Sequence, residues 1–153
     1  MREITINKIL VPIDGSEYST KAMQYAIMQA KLSGAEIIAI HVLGQLPLGS
    51  TAAMKAYYGN VKMANAFLKA AKEEANKWLS KVERMAKQEG VAITTEVLYD
   101  GSVVQSIVDF ASKRNIDLIV MATRGRTKFK KLILGSVASG IITHASCPVL
   151  VVK

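Results

Sequence analysis

The feature that most limits what this chain can become is a rhythm. Short apolar runs alternate with longer segments in which apolar residues recur every three or four positions. The runs are Lys8 to Asp14 (KILVPID), Ala35 to Leu43 (AEIIAIHVL), Ala92 to Tyr99, Leu118 to Ala122 (LIVMA) and Pro148 to Val152 (PVLVV). Continuous apolar runs of this length, rich in isoleucine and valine, mark parallel strands covered on both faces. The run from Ala92 alternates in polarity and is expected near an edge. Helices are expected over Ser19 to Leu32, Val61 to Glu89, Ser102 to Arg114 and Ser136 to about Ala145. Ser33-Gly34 and Gly90 act as stops, and Ser102 with Gln105 forms a capping box. In the long helix, Ala64, Phe67, Leu68, Ala71, Ala75, Trp78, Leu79, Val82 and Met85 keep the spacing of one apolar face and are expected in the core. This alternation predicts an α/β fold, a parallel sheet with helices on both faces joined by right-handed crossovers.

Residues 1–153 are expected to form a single domain. No apolar stretch approaches the roughly 20 residues of a membrane span. The N-terminus lacks a signal-peptide pattern, and the single cysteine, Cys147, leaves no internal disulfide framework. A cytoplasmic protein is the expectation. The stretch Gly44 to Asn60 holds Gly44, Pro47, Gly49 and Gly59 and reads as the one long irregular connection, with Ala52 to Tyr58 compatible with a helix. Dinucleotide and P-loop signatures, zinc-ligand spacings and the G-x-S-x-G nucleophile turn are all absent. No catalytic residue and no metal ligand is assigned.

Charge is distributed unevenly. The formal net charge is +8, and the segment from Leu118 to Lys153 contributes +6 of it, with no acid. Five of those cations fall between Arg124 and Lys131, at the end of the expected fourth strand. Open α/β sheets bind ligands beyond the carboxyl ends of their strands. Here those ends are Asp14, His41 to Leu43, Tyr99 to Gly101 and Ala122. Gly125 lets a ligand approach the main chain. Gly135 and Ser136 open a helix whose first amides have no intrahelical acceptor and can receive a phosphate. The Ser136 hydroxyl is either a helix cap or a phosphate ligand. An anionic partner is one reading of this segment; a solvated basic face is the other, especially for Lys128, Lys130 and Lys131. Asp14 is either a turn-capping residue or a polar contact. His41 reads as a packed or rim residue, His144 as a helix-end residue, Cys147 as a small packed side chain, and Tyr57 and Tyr58 as loop packing.

The segments KILVPIDGSE, IIAIHVL, LIVMATRGRTKFKKLILGSVASGII and CPVLVVK resemble the universal stress protein family over essentially the whole chain. The nucleotide-binding branch of that family carries glycine, two residues, glycine, nine residues, then glycine followed by serine or threonine. Gly125 and Gly135-Ser136 fit this pattern, and Ala122 stands where the pattern has its first glycine. The resemblance implies a Rossmann-like, adenine nucleotide alpha hydrolase-like fold: an open five-stranded sheet in the order 3-2-1-4-5. It implies ATP as ligand, with Mg or Mn accompanying it and with ADP or AMP as alternatives. Pro12, Ile13 and Asp14 would border adenine and ribose, the Val42 backbone would meet the adenine edge, and Met121 and Ala122 would line the base and ribose. Gly125, Gly135, Ser136 and Val137 would hold the phosphates. Arg124 and Arg126 are added from charge and place. The last strand is apolar and would lie at an edge, an aggregation hazard that pairing removes. A homodimer through Val149 to Val152 is therefore expected, as the resemblance also implies. The functional expectation is a regulatory stress-response protein with little or no hydrolysis, its nucleotide state read by a protein partner. The rivals are a protein that binds no nucleotide and works by protein contacts, a slow ATPase, and, ranked last, a nucleic-acid surface.

Overall fold

The structure, a computed structural model, describes residues 4–44, 59–99, 101–124 and 134–153. Strand β1 (Lys8–Pro12) leads into helix α1 (Glu17–Ser33), then strand β2 (Glu36–Leu43). Helix α2 (Val61–Gln88), strand β3 (Ile93–Tyr99), helix α3 (Val103–Lys113), strand β4 (Leu118–Ala122), helix α4 (Ser136–His144) and strand β5 (Val149–Val152) follow. The five strands form one parallel sheet in the order β3-β2-β1-β4-β5, as the resemblance implies.

Strand alternation divides the core in two. Ile9, Val11 and Ile13 point toward α1 and α2, where they meet Met23, Ile27, Leu79 and Val82. Leu10, Ile38, Ile40, Ile119 and Met121 point the other way, toward Ile107 and Phe110 of α3 and Ala138 and Ile141 of α4. Full burial of side chains such as Ile9, Leu10, Ile40 and Ile119 stabilises the fold by about 1.5–3 kcal/mol each. Helix α4 lies hard against α3, for a Cβ built at Gly140 would sit 2.8 Å from Cγ2 of Val104.

Two expectations are corrected. Helix α1 starts at Glu17, before Ser19, because the Ser16 hydroxyl accepts the Ser19 N–H at 3.1 Å and caps the helix. The apolar face of α2 is not uniformly core. Ala64, Ala75, Leu79, Val82 and Ala86 are buried, whereas Phe67 is 51% exposed and Leu68 37%. The reason is length. A helix of 28 residues spans about 42 Å at about 1.5 Å per residue. The eight residues of β2 span only about 26 Å. Since α2 ends beside the start of β3, its first turns overhang the carboxyl end of the sheet.

The sheet edges differ in chemistry. On β3, Thr94 and Thr95 are exposed, and Glu96 accepts a charged hydrogen bond from Arg114 at 3.0 Å. On β5, Val149, Leu150 and Val151 are half-buried and uncharged. Among the described residues no helix is long and apolar enough to cross a membrane.

Candidate functional site

The crevice begins where two strands part. Strand β1 pairs with β2 along its length, from Lys8↔Glu36 to Pro12↔Ile40. Its pairing with β4 is limited to Ile9↔Leu118 and Leu10↔Ile119. Beyond that point β4 follows β5, from Ile119↔Val149 to Ala122↔Val152. The chain leaves β1 and β4 toward opposite faces of the sheet, the topology that opens a crevice at carboxyl ends. A cavity of about 320 Å³ occupies that place.

Five places supply most of the cavity walls. Pro12, Ile13 and Asp14 supply the end of β1, and Ile40, His41 and Val42 the end of β2. Met121 to Arg124 supply the end of β4, and Gly135 to Ala138 the start of α4. Val103 and Ile107 of α3 close the apolar side. All ten described residues among the twelve expected site positions therefore line one cavity: Pro12, Ile13, Asp14, Val42, Met121, Ala122, Arg124, Gly135, Ser136 and Val137. Gly125 and Arg126 lie outside the described residues, as do Lys128, Lys130, Lys131, Tyr57 and Tyr58.

Asp14 builds the turn that forms the β1 wall. Its Oδ1 accepts from the Ser16 N–H at 3.0 Å and from the Ser16 hydroxyl at 2.5 Å. One carboxylate oxygen thus shapes the turn. Gly15 takes φ +81°, a left-handed conformation that suits glycine, and a side chain there would overlap the indole of Trp78. His41 reaches the same wall, with Nδ1 2.6 Å from the Ile13 carbonyl.

The phosphate-type features sit opposite. Helices α1, α2 and α3 each begin with a side-chain cap, from Ser16, Asn60 and Ser102 respectively. Helix α4 has Gly135 as its cap residue and no side-chain cap bond. Its first residues, Ser136 to Ala138, line the cavity at the positive pole of the helix, where amides have no intrahelical acceptor. Ser136 is exposed and is the first helical residue, so the cap reading of its hydroxyl fails. The start of α4 is pinned by Thr123, whose carbonyl accepts from Gly135 N–H at 2.7 Å while its own N–H donates to Val152 at 2.9 Å.

Ala122 ends β4 paired with Val152, and its methyl packs against the α1-side core. Positive φ among described non-glycine residues occurs at Asn115 alone, so alanine is unstrained at this position. Sequence reasoning missed Ser19, Ile40, Val103, Ile107, Thr123 and Ala138 of the lining. Thr123 acts through its backbone and carries no side-chain signal. Val103 and Ile107 stand four apart on an apolar helix face, a signal that marks core and cavity walls alike. Cys147 packs beside the α3–α4 core, and burial pushes its thiol pKa up, which keeps it protonated and unreactive.

Residues 5–153 match the family model described as the universal stress protein family. The chain is 43% identical over 146 residues to universal stress protein MJ0531 of Methanocaldococcus jannaschii, covering 95% of this chain and 81% of that protein. The solved structure of MJ0577 from the same organism superposes with a TM-score of 0.81 at 25% identity, covering 98% of this chain and 97% of that one. A universal stress protein of Archaeoglobus fulgidus, solved in complex with dAMP, shares the fold at a TM-score of 0.66 and 24% identity, covering 99% of this chain and 100% of that one.

Proposed function

Because the chain belongs to the universal stress protein family, we propose that its crevice binds an adenine nucleotide, ATP first, as a regulatory signal with little or no hydrolysis. The observation that carries this reading is the meeting of one uncapped helix start with an apolar slot across a single cavity. The slot, walled by Val42, Met121, Val103 and Ile107, suits a flat base. Gly135, Ser136 and Val137 suit phosphates, and each charge-assisted hydrogen bond there is worth about 1.5–3 kcal/mol. Asp14 keeps Oδ2 for a ribose hydroxyl while Oδ1 holds the turn. Arg124, exposed at the cavity rim, adds positive charge, and by sequence Gly125 and Arg126 join it.

Ala122 lines the cavity while packing against the α1-side core in an unstrained conformation, which supports binding despite the missing glycine. The dAMP bound by the Archaeoglobus relative is said of that protein; it makes adenine nucleotides the first class to try here. Mg or Mn would arrive with the triphosphate, since among the described residues no three acid, histidine or cysteine side chains converge on a metal site. The described residues at the phosphate end, Gly135 to Val137, include no acid or imidazole to activate water, which is why hydrolysis is assigned little role. The reading extends to a single-domain cytoplasmic homodimer paired through Val149 to Val152, whose nucleotide state is read by a protein partner.

The test is thermal unfolding with and without Mg-ATP, ADP, AMP and cyclic AMP. A nucleotide at 100-fold excess over its Kd adds about 2.7 kcal/mol of stability. Absence of any shift across all four nucleotides would leave the family fold working through protein contacts alone. Timed phosphate release checks for hydrolysis, and light scattering checks for the dimer.

A further inference from the structure

The β1 wall of the cavity is held by two side chains that the adenine reading does not use, His41 within the lining and Trp78 behind it. Ile13 is the last residue of β1's hydrogen-bonding reach: its N–H donates to the Ile40 carbonyl at 2.8 Å. Its own carbonyl would go next to the β2 ladder, but β1 is turning away there toward Asp14 and Gly15. His41 fills that role with a side chain, placing Nδ1 2.6 Å from the Ile13 oxygen. A carbonyl oxygen can only accept, so Nδ1 carries the proton. The imidazole is itself braced by Trp78, with ring centroids 5.1 Å apart and planes at 75°, the edge-on arrangement aromatic pairs favour. Trp78 also covers Gly15, where it occupies the space a Cβ would need. Asp14 therefore sits between two fixed points, Ile13 held by His41 and Gly15 held by Trp78.

We propose that His41 is a positioning residue of the nucleotide cavity, acting with Trp78 to set the Ile13–Asp14–Gly15 wall. The proposal rests on the adenine-nucleotide reading for its ligand but not for its geometry. Ribose contact by Asp14 needs its carboxylate aimed to within a fraction of an ångström, and the turn that aims it is short and contains a glycine. Fixing the carbonyl on one side and the glycine on the other removes the freedom that would blur that aim. Trp78 lies on α2, so the clamp also ties the wall to a helix none of whose residues lines the cavity. As the single tryptophan of the chain, it is a built-in reporter of the wall.

The experiment compares wild type, His41→Leu and His41→Asn, each with Mg-ATP titrated by calorimetry and by Trp78 emission. Loss of one hydrogen bond that orders a binding wall predicts about tenfold weaker ATP binding in His41→Leu. Any Trp78 emission change on ATP addition should then need about tenfold more ATP to reach its midpoint. Asparagine can present an amide N–H to Ile13, so His41→Asn should recover most of the affinity. If His41→Leu melts lower yet binds ATP as tightly as wild type, the residue is structural and the proposal is overturned. If wild type binds no nucleotide, the adenine reading has failed, and hydrogen exchange in the ligand-free proteins decides the positioning role. Amides of Asp14 to Ser16 should then exchange faster in His41→Leu and return toward wild type in His41→Asn; equal exchange in all three would overturn it.

Discussion

The two ends of the sheet are built to opposite rules. At the amino end every strand is tied to its neighbour. Asp117 Oδ2 accepts the N–H of both Asn7 and Lys8 at 2.9 Å, and Asp117 N–H returns a bond to the Lys8 carbonyl at 3.0 Å. Glu36, Ile37 and Ile119 are bonded across strand starts in the same way. Helices α1 and α2 end there too, strapped by Lys31 and Glu89 at 2.8 Å. At the carboxyl end β1 and β4 stop pairing after two registers and the crevice opens. Satisfied backbone makes the first end a source of rigidity. The second end leaves donors and apolar walls without partners from their own strands, which is what a ligand requires. On the proposed function, stability and binding fall to different residues in one small molecule.

If that separation is real, Asp117→Ala should cost the most stability. Removing a charged acceptor from two backbone donors predicts a loss of about 3 kcal/mol in chemical denaturation, with ATP affinity moving less than about twofold. A large affinity change would mean that the ends are coupled. Ser136→Ala should do the reverse. One hydroxyl contact to phosphate is worth about 1 kcal/mol, so calorimetry should find affinity reduced about fivefold, while the melting temperature without ligand holds because the hydroxyl caps no helix. Ala122→Gly sharpens the contrast further. It should lower stability by roughly 0.5–1 kcal/mol through added backbone freedom and lost packing. It should leave ATP affinity nearly unchanged, because the methyl faces the α1-side core.

The smallest effect belongs to the strap at the closed end. Hydrogen bonding and charge from Lys31 hold the Glu89 carboxyl below the ordinary glutamate range. A folded-state pKa below the unfolded one gives stability that is present in full above the ordinary glutamate value and lost as pH falls through the lowered value. Lys31→Met should return the Glu89 pKa, followed by NMR, to the ordinary range and remove that acid-side slope. Both groups are exposed, so the change in overall stability should be barely measurable.

Much of this was legible in the sequence because apolar spacing is a one-dimensional signal. The strands of KILVP, EIIAIHVL, LIVMA and VLVV announce themselves, and so does the Ser102 cap. The start of α1 was missed because the cap at Ser16 precedes any apolar periodicity. The exposure of Phe67 and Leu68 was missed because helix spacing says which face is apolar and not how far the sheet extends beneath it. In the site, Asp14, Gly135 and Ser136 were readable from strand ends and a glycine before a helix. Thr123 was not, since its contacts are backbone ones. His41 reads from the sequence as a packed or rim residue; its bond to Ile13 joins residues 28 apart and has no local signature.

The unlike margins of the sheet carry a consequence for assembly. Threonines and an ion pair blunt the β3 margin, while the β5 margin is short, aliphatic and uncharged. A molecule with one adhesive rim and one inert rim has a built-in stop. In the proposed homodimer, two copies joined at their aliphatic rims would consume both adhesive surfaces and present only threonine-lined ones to the surroundings. Growth would then halt at a doubled sheet, where two adhesive rims on each copy would have allowed a ribbon without end.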